Sequence, residues 1–171
     1  MEFMQVLQGR RSVRRYGDRP VSRGLLAALI EAAEAAPSAG NLRARRYVIV
    51  TEQETRAVLA MTAYGQKHVK SAPALVVVCA DVPRSAARYG DRGSLYAIQD
   101  ADAATMCLLL AAHDMGLSAC WNGAFDDALV REALGLSKGI LPVAIVSLGW
   151  PDEAPEAAPR RTAEEIVRWI E

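Results

Sequence analysis

Residues 103–112 read Ala-Ala-Thr-Met-Cys-Leu-Leu-Leu-Ala-Ala, ten positions without a charge. Wound as a helix, this stretch is apolar on every side and has no face to offer to water. It is also only about half of the ~20 residues that a membrane span needs. It is therefore expected to be buried all round, at the centre of a domain or in a contact between subunits. The flanking residues extend the helix to about 94–115, and Gly116 ends it.

Composition sharpens that choice. Among 171 residues there are 31 alanines, and aromatics make up 6%. Small side chains let helices approach closely but fill little volume, so a partner surface is expected to complete the core. Twenty Lys and Arg balance twenty Asp and Glu. A chain with no net charge is a poor candidate for nucleic acid or an anionic membrane as partner. Cys79, Cys107 and Cys120 lie far apart and show neither metal-ligand nor disulfide spacing. Residues 1–20 hold five arginines and no apolar run, hence no signal peptide. The expectation is one cytoplasmic domain over 1–171.

The rest of the chain alternates helix and strand. A short helix is expected at 3–9. Ser22 caps another that runs to about Ala36, with Leu25, Leu26, Leu29, Ile30 and Ala33 at helical spacing and Pro37 as its stop. Further helices are predicted at about 53–63 and 126–134. Buried strands are predicted at 47–50, 75–79 and 141–148, with a short extended piece at 117–122. Residues 81–93, with Pro83, Gly90 and Gly93, read as a polar surface excursion. The tail from 150 carries Pro151, Pro155 and Pro159 and reads as irregular, extended enough to wrap a partner. Thr162 and Glu165 have capping-box spacing for one last helical turn. This mixture fits an α+β sandwich better than a simple doubly wound sheet.

Several groups have the composition of sites. Arg10, Arg11 and Arg14 surround Ser12 in five residues; planar donor forks and a hydroxyl suit phosphate. A solvated turn with surface ion pairs has the same composition. Arg160-Arg161 is a second basic pair, of interest only if the fold brings it to the first. Pro37-Ser38-Ala39-Gly40-Asn41 reads either as a ligand loop or as a helix terminator. Trp121 suits an aromatic pocket or the core, and Gly123 permits close approach of a flat ligand. Cys120 has no histidine near it in sequence and reads as structural. His68 and His113 lack zinc spacing, so no metal site is expected. Dinucleotide, P-loop and nucleophile-elbow fingerprints are absent.

Taken in order, these pieces resemble the nitroreductase family of FMN-dependent oxidoreductases. The resemblance rests on Arg10-Arg11-Ser12-Val13-Arg14-Arg15-Tyr16, Ala36-Pro37-Ser38-Ala39-Gly40-Asn41-Leu42, Tyr64-Gly65-Gln66 and Ala72-Pro73. It continues through Ile98-Gln99-Asp100-Ala101, residues Gly116 to Phe125, Leu148-Gly149-Trp150-Pro151 and Pro159-Arg160-Arg161. It implies a three-layer α+β sandwich, an antiparallel or mixed central sheet flanked by helices. It also implies an intertwined homodimer with FMN at the interface and the 150–171 tail around the partner.

By the same resemblance, Arg10, Ser12 and Arg160 hold the FMN phosphate, with Arg11 or Arg161 nearby. Arg14 reaches the pyrimidine edge of the flavin. Pro37, Ser38 and Asn41 come from the other subunit. Gln66, Trp121, Asn122 and Gly123 line the ring, and His68 approaches it. Leu42-Arg43-Ala44-Arg45-Arg46 replaces the commoner Gln-Pro-Trp of relatives, which assigns Arg43 to a phosphate or to an acidic substrate. The implied activity is hydride transfer from NAD(P)H to a planar acceptor, a nitroaromatic or quinone, in ping-pong order with no essential side-chain acid or base. The alternatives on the same fold are flavin-dependent dehydrogenation of a small metabolite and a non-catalytic flavin-binding protein.

Overall fold

The computed structural model describes residues 1–171. Helix α1 (Phe3–Gly9) is followed by α2 (Arg23–Glu34), whose first turn is closed by Ser22 Oγ accepting from Leu25 N. Strand β1 (Arg45–Val50) leads to α3 (Gln53–Thr62), α4 (Lys67–Ser71) and β2 (Ala74–Asp81). Then come α5 (Val82–Tyr89), α6 (Gly93–Asp114), β3 (Ser118–Asn122), α7 (Asp127–Ala133), β4 (Ile140–Gly149) and α8 (Ala163–Ile166).

The four strands form one antiparallel sheet in the order β1-β2-β4-β3. All eight residues of β2 are buried, and they divide by parity. Ala74, Val76, Val78 and Ala80 join a core with Leu26 and Leu29 of α2 and Ala101, Ala104 and Leu108 of α6. Leu75, Val77 and Cys79 join a second core with Leu59 of α3, Val69 of α4 and Val130 of α7. A central strand in a three-layer sandwich must be apolar on both faces, which is why its Val run shows no alternation.

Within one chain, helix α6 is buried on one side only. Its buried stripe, Ala97, Ala101, Ala104, Leu108 and Ala112, faces the sheet, while Leu95 and Met106 on other sides are 44% and 39% exposed. One chain supplies cover for one face only, and the remainder stays open for a second surface. Residues 81–93, read as a polar surface excursion, lie largely at the surface and are helical. Asp81 accepts from Arg84 N as the cap of α5, and Pro83 lies in the first turn, where its missing N–H costs nothing. α5 then packs tightly on α6: a Cβ at Gly93 would come within 2.3 Å of the Ala86 backbone. The short α4 also went unforeseen. Thr162 and Glu165 do form a capping box at the start of α8.

Candidate active site

The backbone brings the two ends of the chain together at β3. After α1 the chain runs along the outer edge of that strand. Ser12 bridges Ala119 in parallel, and Val13 N donates to the Ala119 carbonyl at 3.2 Å. Tyr16 bridges Pro151, and its phenol donates to the Val13 carbonyl and lies 2.9 Å from Ser147 Oγ. Burial drives the Tyr16 phenol far above its ordinary range. The returning tail is tied to the same turn by Glu153, whose carboxylate accepts from Arg14 N at 2.6 Å and Arg15 N at 3.2 Å. Those backbone bonds hold its carboxyl below the usual range.

Between turn and tail lies a groove of about 400 Å³, lined by Arg10, Arg11, Ser12 and Arg14 on one side and by residues 155–160 on the other. The two basic clusters of the sequence thus converge. Arg11 bends back, donating to the Gln8 and Arg10 carbonyls. Arg10, Arg14 and Arg160 form no salt bridge with a carboxylate, although Glu156 shares the groove lining. Unneutralised guanidinium forks facing one groove are a site for an anion. Arg161 is exposed and does not line the groove.

Arg14 links this groove to a second group of residues. Its charge reaches both His68 and Cys120. His68 is 8% exposed, and its Nε2 has no hydrogen-bond partner. Burial, then the Arg14 charge, lower its pKa, so the imidazole is neutral at pH 7. Burial raises the Cys120 thiol against the pull of Arg14, as befits a packed thiol and not a nucleophile. Beyond Cys120, Asn122 Nδ2 and Gln66 Nε2 donate to the same Ala124 carbonyl, at 3.3 and 3.2 Å. Those bonds fix the turn that carries Gly123. A Cβ at Gly123 would meet only Trp121 Nε1, at 3.9 Å, so one flank of this turn is open. Trp121 itself is half-buried against the α6 core.

Pro37, Ser38, Asn41 and Arg43 are elsewhere. They precede β1, at the opposite edge of the sheet from β3. Three strand spacings, roughly 14 Å, separate the two edges. The loop has its own scaffold. Arg45 makes five hydrogen bonds, to Glu34 Oε1 and to the carbonyls of Glu34, Ala36, Pro37 and Asp100. The Asp100 carboxylate accepts from Ala39 N and Ala44 N, and Ser38 Oγ accepts from Arg43 N. Gly40, Asn41 and Arg43 take positive φ of 56°, 55° and 50°. Left-handed conformations at Asn41 and Arg43, which are not glycines, persist only where their surroundings hold them. Arg45, Asp100 and Glu153 were missed in the sequence because each looks like an ordinary surface charge there. No three His, Cys, Asp or Glu side chains come together as a metal site.

Comparison with known proteins gives this arrangement its class. The chain matches the Nitroreductase family over residues 7–65 and 56–150. It is 36% identical to an NADH dehydrogenase of Thermus thermophilus over 190 aligned positions, covering 94% of this chain and 92% of that one. It is 31% identical to the oxygen-insensitive NADPH nitroreductase of Salmonella typhimurium, covering 96% and 72%. The structure of the NADPH:FMN oxidoreductase of Vibrio harveyi, complexed with NAD+, superposes with a TM-score of 0.90 at 30% identity, covering 99% of this chain and 77% of that one. The chain belongs to the nitroreductase family and has its α+β fold.

Proposed function

We propose that this chain is an FMN-dependent oxidoreductase that takes hydride from NAD(P)H and delivers it to a planar acceptor such as a nitroaromatic or a quinone. The observation that carries the reading is the groove where Arg10–Arg14 meets the tail at Arg160, guanidinium forks without carboxylate partners. The residues present fit FMN. The groove suits its phosphate, and the buried, partnerless Nε2 of His68 and the open flank of Gly123 lie where Arg14 leads away from it.

In this reading Arg10, Ser12 and Arg160 hold the phosphate, with Arg11 behind them and Arg161 at the rim. Arg14 faces the pyrimidine edge, where a cation favours negative charge on the reduced ring. Gln66, Trp121, Asn122 and Gly123 line the ring. When bound, FMN supplies two-electron chemistry at N5, accepting hydride from NAD(P)H and releasing it to the acceptor in ping-pong alternation. The chain's own residues orient, exclude water and tune the ring; no side chain here is placed as an obligatory acid or base.

The far-edge loop completes the site from a second copy. Within one protomer Pro37, Ser38, Asn41 and Arg43 cannot reach the groove, and a homodimer would bring them to it. The exposed Phe3 and Met4 of α1, the open side of α6 and the exposed Trp169 and Ile170 of the tail supply apolar surface for such a pairing. The chain then acts as one domain whose 150–171 tail wraps its partner. The test is a visible spectrum of the purified protein with release of the chromophore by heat. Flavin bands, free FMN and bleaching by NAD(P)H support the reading. A colourless protein that takes up no added FMN ends it.

A further inference from the structure

The arginine turn and the tail that returns to it share few bonds, and one side chain makes a large part of them. Within the turn the amides of Val13, Arg14, Arg15 and Gly17 are bound, the first by the Ala119 carbonyl and the last by that of Trp150. Glu153 takes the two between. Its Oε1 accepts from Arg14 N at 2.6 Å and from Arg15 N at 3.2 Å. Successive amides make a small cradle for an anion, and here the chain's own carboxylate lies in it. Its Oε2 stands 3.8 Å from Arg15 Nε. Asp152 closes the joint, its amide donating to the Arg15 carbonyl and its carbonyl accepting from Arg15 Nη2, both at 3.0 Å.

Beyond this joint the tail runs unsupported. Residues 154–161 make no hydrogen bond to the rest of the chain, and the next bonds are those of the capping box at Thr162. Yet Arg160, seven positions after Glu153, lines the groove together with Arg10, Ser12 and Arg14. Two things carry it there. One is the direction in which the chain leaves Glu153. The other is the stiffness of Pro155 and Pro159, whose rings fix φ.

We infer that Glu153 is a positioning residue for the anion groove: by holding the Arg14 and Arg15 amides it sets the arginine turn and the root of the tail against each other, so that Arg160 meets Arg10 and Ser12. The inference rests on the proposed function, because the anion served there is the FMN phosphate.

Charge alone predicts the opposite. Glu153 lines the cleft that adjoins the groove and shares Arg11 and Pro155 with it, and Glu156 lines the groove itself. A carboxylate so placed repels a phosphate, and its removal would tighten phosphate binding by about two-fold at a hydrated surface. Holding the two walls in register counts for more, because a guanidinium fork that misses its phosphate loses a whole charge-assisted bond. The two effects have opposite signs, which makes them separable.

The experiment titrates FMN, and riboflavin as its analogue without the phosphate, into flavin-free full-length protein and reads the quenching of flavin fluorescence. Glu153→Ala removes the acceptor. Glu153→Gln removes the charge and keeps an Oε1, the one atom that binds both amides. Amide hydrogen exchange on the same proteins follows Arg14 and Arg15, with the amides of β2 as the measure of an intact fold.

Glu153→Ala should bind FMN about ten-fold more weakly and riboflavin as the parent does, while Glu153→Gln stays within about two-fold of the parent for both. The Arg14 and Arg15 amides should exchange faster in the Ala variant alone, with β2 unchanged. An Ala variant that binds FMN as tightly as the parent or more so overturns the inference, since charge then governs. Equal losses for FMN and riboflavin, or a Gln variant that fails like Ala, overturn it as well. A parent protein that takes up neither flavin defeats the FMN reading instead. Inorganic pyrophosphate is then the probe of the groove, and the same ten-fold loss in the Ala variant upholds the role of Glu153, whereas unchanged binding overturns it.

Discussion

Two arginine-rich regions of this chain look alike in sequence and behave oppositely in the fold. Residues 10–15 contain four arginines and residues 43–46 contain three. In the second region Arg45 is buried, bound by five hydrogen bonds and ion-paired with Glu34 at 2.8 Å, and Arg46 is ion-paired with Asp81 at 2.8 Å. In the first, the backbone is what is held, by Ala119, Asp152 and Glu153, and the guanidinium groups of Arg10 and Arg14 have no carboxylate. A charge with all its donors satisfied is a structural part. A charge whose backbone is fixed while its head is unpaired is placed for something absent from the chain. Counting arginines does not separate the two cases; counting their partners does.

That contrast breaks most visibly at Arg45. Arg45→Ala leaves the Glu34 carboxylate and four carbonyls without their donor and should cost about 3–5 kcal/mol of unfolding free energy, as loss of one partner of a buried pair does. Urea denaturation measures it, and a loss below about 1 kcal/mol would place Arg45 with the surface charges. The double change Arg10→Ala, Arg160→Ala should do the reverse. Unfolding of the flavin-free protein should shift by no more than about 0.5 kcal/mol. FMN affinity should fall by roughly 100-fold, the worth of two charge-assisted bonds. A double variant that purifies fully yellow removes the phosphate assignment.

A smaller effect is expected at Glu34. Burial acts to raise its carboxyl, but hydrogen bonds from Arg45 and Tyr47 outweigh this and hold it below 4.5. The folded state therefore resists protonation. Its contribution is complete above pH 4.5 and is lost as the pH falls through the lower folded value. Melting curves of Glu34→Gln should show a lower plateau and a flatter acid limb than the parent. The smallest effect belongs to His68. Burial and then Arg14 keep its folded pKa under 6.5, so stability declines as the pH drops below that value and the unfolded chain takes up the proton first. Arg14→Gln should move the imidazole titration upward in an NMR experiment. An unmoved titration would mean that Arg14 and His68 do not share a neighbourhood.

The sequence carried most of the architecture because its strongest signals are local. Ser22 caps α2 as its position promises, Gly116 follows α6, and the unbroken Val run of β2 is what a strand covered on both faces requires. The groove was legible as two basic clusters, and only the fold could show that they meet. Helices α4 and α5 were hidden for a physical reason. Each is short, so few residues are available to show a period, and each is ordered largely by packing on its neighbours. Asp100 was hidden because a carboxylate in a helix normally points to water, whereas this one receives two amides from a loop far away in sequence.

The two edges of the sheet also differ in how they are finished. The outer edge of β3 is occupied in part by the N-terminal segment through Ser12 and Val13, whereas β1 has no strand on its outer side. An unpaired edge is a template on which other chains can add, and charges such as Arg46 discourage that addition. Ile49, 42% exposed near the end of β1, is the weakest point of that guard. Aggregation during expression or storage should therefore begin at β1, and a lysine at Ile49 should delay it without touching the groove at the opposite edge.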